Sequence, residues 1–151
     1  MTSYTIHDIK QFMKLLLKSP TFDEFTFQQG EIHSNAFFSI HGKKDDADID
    51  EEHSEAYCFW AEIKPFVFES IKGKKLPKIM KLSLSLPSTE IKKFHNTKSV
   101  SLNFLFRNGV LLCTLSAMQE TFELSKKTEE AWTEYMLHFF KENGVGVVKE
   151  D

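Results

Sequence analysis

Apolar residues recur at helical spacing in the first part of the chain. One stripe runs from Ile9 to Leu16, with Asp8 placed to cap the helix and Pro20 placed to end it. A second stripe runs from Ala56 to Ile71 and contains Pro65, which removes an amide donor and crowds the preceding turn. The pattern therefore predicts one helix before Pro20, and then either a kinked helix or two short helices around Pro65.

Two more helices are predicted in the second half. Pro87 and Ser88 open a short helix over Thr89–His95. The last helix has an aromatic-rich face and ends at Gly144, because glycine readily takes the left-handed conformation that terminates helices. The residues of that face are Trp132, Tyr135, Met136, Phe139 and Phe140.

Alternating apolar and polar positions predict a first hairpin and a single strand. Phe25 and Phe27 alternate with polar neighbours up to Gly30, and the stretch from Ile32 to His41 alternates again after it. We expect the turn of this hairpin at Gly30. Met80–Leu86 alternates cleanly and predicts the next strand.

A second hairpin is indicated by Asn108-Gly109, the pair that type I′ turns favour most. It joins an alternating strand over Val100–Phe106 to Val110–Ala117, which is apolar on both faces and is expected near the centre of the sheet. Thr121–Leu124 is predicted to add a short third strand to this meander.

These elements follow the order α-β-β-α-β-α-β-β-β-α. Hairpins require antiparallel pairing, so we predict an α+β fold, one domain over residues 1–151, with helices packed on a mainly antiparallel sheet. The motif Ile9-Lys10-Gln11-Phe12 returns as Ile91-Lys92-Lys93-Phe94, each time before a Phe-x-Phe strand. A duplicated helix–hairpin unit and a coincidence in a Phe-rich chain both remain open.

Composition narrows the class of protein. The 151 residues carry a net charge of −3, with 41% hydrophobic residues, two cysteines and a single arginine, Arg107. One arginine cannot build an arginine-rich surface for reading bases. No stretch reaches the roughly 18 apolar residues of a membrane span, and residues 1–6 lack the pattern of a signal peptide. We therefore expect a cytoplasmic protein with no membrane partner.

Catalytic and metal-binding patterns are weak, and we predict neither cofactor nor metal. The acidic loop at about residues 43–55 begins like an EF-hand but has Glu51 and Tyr57 where that motif needs glycine and glutamate. His33 and His41 are expected about 26 Å apart along one strand. Cys58 and Cys113 stand among apolar residues and are expected to be unreactive.

Lysines concentrate between residues 64 and 98, where nine of them face only two glutamates. One interpretation is that this stretch and the preceding acidic loop screen each other. The other is a patch for an anionic partner, formed by Lys64, Lys72, Lys74 and Lys75. Lysines attract phosphates without reading sequence, so such binding is weak, non-specific and salt-dependent.

Several short motifs recur together along most of the chain. They are Asp8–Leu16, Trp60-x-x-Ile63-Lys64-Pro65, Ile71-Lys72-Gly73-Lys74, Pro77, Leu102-Asn103, Asn108-Gly109, Leu112-Cys113-Thr114 and Glu130-Ala131-Trp132. In these motifs the chain resembles an uncharacterised family of clostridial and other Gram-positive bacterial proteins, a domain of unknown function. The resemblance implies an organism class, but no chemistry.

Three functions compete at this point. A non-enzymatic interaction or assembly module, with a protein partner or self-association, is favoured because the chain lacks paired catalytic groups and has more phenylalanine than one small core can hide. The second is a nucleic-acid-associated, clamp-like protein that uses the lysine stretch. The third is an enzyme whose site assembles from distant residues such as Glu62, His33 or His41.

Overall fold

A computed structural model describes residues 1–45, 55–71 and 76–150. The described residues form an antiparallel sheet of seven strands in the order β3-β2-β4-β5-β6-β1-β7, with four helices, which confirms the α+β class. The elements are β1 Thr2–Ile6, α1 Ile9–Lys18, β2 Thr26–His33, β3 Phe37–His41, α2 Trp60–Ser70, β4 Ile79–Ser85, α3 Ser88–Ile91, β5 Thr97–Arg107, β6 Val110–Gln119, α4 Lys127–Glu142 and β7 Val147–Lys149.

The core lies on one face of the sheet, beneath α1, α2 and α4. Successive strand residues point to opposite faces, so the central strands β4, β5 and β6 contribute alternate side chains to this core. Phe12 of α1 packs on Phe104 of β5, with ring centroids 4.7 Å apart. The buried indoles of Trp60 and Trp132 donate hydrogen bonds to the carbonyls of Leu16 and Ser101 at 2.8 and 3.0 Å. Each indole nitrogen is therefore satisfied inside the core.

Several local predictions are confirmed. Asp8 caps α1 and accepts a hydrogen bond from the Gln11 amide at 3.2 Å. Asn108 and Gly109 have φ of 53° and 75° and form the two-residue turn between β5 and β6. Gly144, with φ of 72°, follows the end of α4. These features depend on residues close in sequence, which is why the pattern identifies them.

The first hairpin exists, but its turn is not at Gly30. β2 runs through that glycine, and the chain turns at residues 34–36 instead. A bulge between Phe27 and Gln29 shifts the alternation, so Phe27 and Ile32 reach the same core face. Gly30 serves close packing: a Cβ there would lie 2.8 Å from the Leu82 side chain.

The ends of the chain hold two strands that the pattern did not predict. β1 pairs with β6 on one side and with β7 on the other, and together they complete the sheet. They were missed because each is short and is stabilised by a distant partner. The strand predicted at Thr121–Leu124 is wrong: this segment is a loop, and Phe122 and Leu124 are 84% and 91% exposed.

Two helices differ from prediction in extent. α2 begins at Trp60 rather than Ala56, because residues 56–59 pair with neighbouring backbone, and it continues through Pro65 as one helix. α3 ends at Ile91, so the helix predicted to reach His95 is shorter.

The two copies of the repeated helix–hairpin motif differ in structure. The glycine of the first copy, Gly30, lies inside a strand, whereas the glycine of the second copy, Gly109, lies in a turn.

Candidate functional site

Lys64 of the predicted anionic-partner patch is engaged inside the fold. Its ammonium group donates hydrogen bonds to the carboxylate of Asp23 at 2.7 Å and to the carbonyl of Ser19 at 3.1 Å. This ties α2 to the segment that follows α1. Lys72, Lys74 and Lys75 lie outside the described residues, so the patch they would form stays a prediction.

The described lysines of the stretch do not lie on one surface. Lys64 belongs to a helix on the covered face of the sheet, whereas Lys81 extends from β4 on the opposite, open face. Lys93 pairs with Glu90 at 3.0 Å. The part of the acidic loop at residues 46–54 lies outside the described residues, but Glu55 accepts hydrogen bonds from the amide and hydroxyl of Ser88, both at 2.6 Å.

Glu62, His33 and His41 are not brought together. Glu62 is exposed on α2, whereas the two histidines stand at opposite ends of the β2–β3 hairpin. The prediction that both histidines share one strand is wrong: His41 faces Gln29, about 13 Å along the hairpin from His33. Within the ranges the structure describes, no group of three His, Cys, Asp or Glu side chains is arranged to hold a metal.

The cysteines differ in burial. Cys113 is fully buried in β6, and this burial raises the pKa of its thiol far above the usual range. Cys58 is half-buried beside the start of α2. A thiol held protonated inside the core is a poor nucleophile, so Cys113 acts as a small apolar core residue.

The outer edge of β3 is the best candidate for a binding surface, because part of its backbone is unpaired. In the hairpin, the Gly42 amide donates to the Gln28 carbonyl and the Ser34 amide donates to the Ala36 carbonyl. Since bonded pairs alternate along antiparallel strands, Phe38 and Ile40 bond to β2. The backbone N–H and C=O groups of Phe37, Ser39 and His41 therefore point away from the sheet, where no described strand pairs with them.

The sequence of β3 offers no protection for this edge. Its five residues, FFSIH, contain no proline, lysine, arginine or carboxylate, and its register with β2 is regular, without a bulge. Natural edge strands usually carry one of these features to prevent pairing with another chain. Phe37 is 79% exposed and Phe38 is 37% exposed. The strand thus presents apolar side chains together with unpaired backbone groups.

Helix α2 places another exposed aromatic side chain on the β3 side of the sheet. The Ser34 hydroxyl donates to the Ser70 carbonyl at 3.1 Å, which fixes the end of α2 to the β2–β3 turn. Lys64 faces the segment after α1, and Phe66 lies about 200° further round the helix. Phe66, 64% exposed, is therefore on the flank of α2 turned away from α1, towards the β3 end of the sheet.

Sequence reasoning anticipated a phenylalanine-rich surface but not its location. Five of the 15 phenylalanines are more than one-third exposed, and two of them are consecutive in β3. The dipeptide Phe37-Phe38 was the available signal. An isolated strand pattern does not reveal whether a strand is central or at an edge, because that depends on which distant strands pair with it.

Comparison with known proteins assigns the chain to a family but identifies no activity. No helix in the described ranges is long and apolar enough to cross a membrane. No curated protein and no solved structure matches the chain. A family model, the family of unknown function DUF5721, matches residues 14–147 and therefore includes the second half of α1, the β3 edge and β6. The chain belongs to the DUF5721 family.

Proposed function

We propose that this protein is a non-enzymatic interaction module that binds an extended segment of a protein partner along the outer edge of β3. The segment adds a strand to the sheet through backbone hydrogen bonds, while exposed aromatic side chains provide apolar contacts. The observation that carries this proposal is the edge itself: a five-residue strand without lysine, arginine, carboxylate, proline or bulge, in which Phe37, Ser39 and His41 direct their N–H and C=O groups away from the sheet.

The composition of the edge supports binding rather than simple exposure to solvent. Phe37 and Phe38 are adjacent, so they project to opposite faces of the sheet, and a partner strand contacts one on each face. Phe66 extends the apolar surface on the helix-covered face. Interfaces concentrate aromatic residues in this way because large rigid side chains bury much area at low entropic cost.

Among the described residues, the competing functions have no comparable arrangement. Lys64 is neutralised by Asp23, and Glu62, His33 and His41 lie apart. No cofactor is part of the proposal. The cytoplasmic location and single-domain organisation expected from the sequence fit an interaction module, because an exposed edge can then recruit a partner without a second domain.

A peptide selection tests the proposal with purified protein. Random peptides displayed on phage are selected against the protein, and the enriched peptides are assayed against Ser39→Pro. The Ser39 N–H points outward and bonds to no strand of the sheet, so proline removes a donor that only a bound segment would use. We expect the selected peptides to lose binding to this variant.

The matched control uses the other edge of the sheet. The Glu150 amide donates to the Ser3 carbonyl, so the alternation leaves the N–H of Lys149 pointing outward from β7. Lys149→Pro therefore makes the same chemical change at the opposite edge and is expected to leave peptide binding intact. Peptides that bind Ser39→Pro as well as the wild type would overturn the proposal.

A further inference from the structure

We infer that the segment that occupies the β3 edge is β3 of a second copy of this chain, in antiparallel register centred on Ser39. This inference rests on the proposed function and adds the identity of the partner. It creates a two-fold symmetric dimer in which two seven-stranded sheets join into one.

Hydrogen-bond geometry favours this register. Outward-pointing residues must face outward-pointing residues across an antiparallel pair. With Ser39 opposite Ser39 of the second copy, Phe37 faces His41 at both ends, and all five residues of the strand are paired. The arrangement forms about six new backbone hydrogen bonds. A centre at Phe38 also obeys the rule, but it leaves His41 beyond the paired region.

Side-chain chemistry is self-complementary in the same register. On the helix-covered face Phe38 lies beside Ile40 of the second copy, and the symmetry repeats this apolar pair. On the open face Phe37 lies beside His41. The Phe37 ring already contacts His33, with ring centroids 4.0 Å apart, so it is held in place before association. No Lys, Arg, Asp or Glu of β3 faces a like charge, since the strand has none.

The two-fold axis also brings the flanking helices to the same side. Pairing antiparallel strands by rotation about an axis normal to the sheet keeps the covered face of both copies on one side. Phe66 of each copy then lies on that side, facing across the junction. The exposed aromatic residues nearest the edge thus gain a partner without any change in the fold.

Molecular mass as a function of concentration tests this inference. We expect the purified wild type to reach twice its 17.6 kDa monomer mass at high concentration in sedimentation equilibrium. Ser39→Pro should raise the dimer dissociation constant by about tenfold or more, because each copy loses a donor at the centre of the interface. Lys149→Pro should match the wild type. Circular dichroism of both variants establishes that they remain folded.

The mass data separate this inference from the proposed function. A protein that stays monomeric, while its selected peptides still depend on Ser39, would overturn the second copy and support binding of another protein. A dimer whose mass is unaffected by Ser39→Pro would also overturn the inference, because that dimer uses a different surface.

Disulfide cross-linking through an introduced cysteine tests the register. In a Cys58→Ser background the remaining native cysteine, Cys113, is fully buried. Ser39→Cys then places two thiols on directly opposite residues with Cα atoms about 5.5 Å apart, within disulfide range. We expect oxidation to give a covalent dimer in high yield. Phe38→Cys should cross-link poorly, because its neighbour is Ile40. Efficient cross-linking of Phe38→Cys and not of Ser39→Cys would overturn the register centred on Ser39.

Discussion

The two edge strands of the sheet, β3 and β7, differ in how well they are protected against pairing with another strand. β7 is three residues long and carries Lys149, whereas β3 is five residues long and carries Phe37 and Phe38. A short, charged edge resists pairing because an incoming strand gains few hydrogen bonds and must desolvate the charge. Among the described residues, the β3 edge therefore lacks the features that protect the β7 edge from pairing with another strand.

The largest effect is expected from a change behind the open edge. Gly30 of β2 pairs with Ile40 of β3, and a Cβ at Gly30 would lie 2.8 Å from Leu82 and 3.0 Å from Phe27. We expect Gly30→Val to reduce the free energy of unfolding by about 1–3 kcal/mol, measured by urea denaturation, because these neighbours must move.

The residue before the other edge strand provides the control. Gly146 precedes β7, and a Cβ there would have no neighbour within 4 Å. Gly146→Ala should leave the free energy of unfolding within about 0.5 kcal/mol of the wild type. Equal destabilisation by both changes would show that Gly30 is not required for packing behind β3.

A charge on the open edge is expected to have the next largest effect. Phe38→Lys imitates the protection that β7 already has and places an ammonium group beside Ile40 of the second copy. We expect the dimer dissociation constant to rise about tenfold, or ~1.4 kcal/mol, as judged by light scattering. Val148→Lys on β7 should not change the mass. A Phe38→Lys protein that dimerises like the wild type would place the interface elsewhere.

Only some elements of this sheet were predictable from the sequence. β5, β6 and the Asn108-Gly109 turn were predictable because alternation and turn chemistry are local. β1 and β7 were not, since five and three residues become strands only by pairing far along the chain. The turn of the β2–β3 hairpin was wrongly predicted at Gly30 because glycine is common in turns. The bulge in β2 was not predictable because it depends on pairing with β4.

The sequence predicted that the protein has an exposed apolar surface, but not where in the fold that surface lies. An excess of phenylalanine indicated an apolar surface, whereas the position of β3 at an edge is a property of strand order. Likewise, the lysine pattern included Lys64 in a binding patch, because its partner Asp23 lies 41 residues away. Interactions between distant residues are invisible to a pattern of neighbours.

Cysteine labelling distinguishes the interior of the sheet from its edge. Cys113 faces Tyr4 across β6 and β1, and burial raises the pKa of its thiol. We expect Cys113 to react with a thiol reagent only after unfolding, and Ser39→Cys to react quickly in dilute protein and slowly in concentrated protein. Rapid labelling of Cys113 in the native protein would show that the β1 side opens as readily as β3.

The smallest effect is expected from salt. β3 carries no lysine, arginine or carboxylate, so the dimer mass should be nearly unchanged between low and physiological salt.

Any affinity of the lysine stretch for duplex DNA should be weak and should fall steeply with salt. The logarithm of the binding constant should fall with the logarithm of salt concentration with a slope of about −3.6 for four phosphate contacts. A fluorescence titration of DNA at several salt concentrations measures this slope, and sequence-specific binding that survives physiological salt would contradict it.

Amide hydrogen exchange compares the two edges within one sample. The amides of Phe37, Ser39 and His41 point outward from β3, and those of Val147 and Lys149 point outward from β7. Exchange measured by NMR in dilute and in concentrated protein should slow by about tenfold or more at the three β3 positions and stay constant at the two β7 positions. Exchange at the β3 positions that does not depend on protein concentration would contradict pairing of this edge with a second copy.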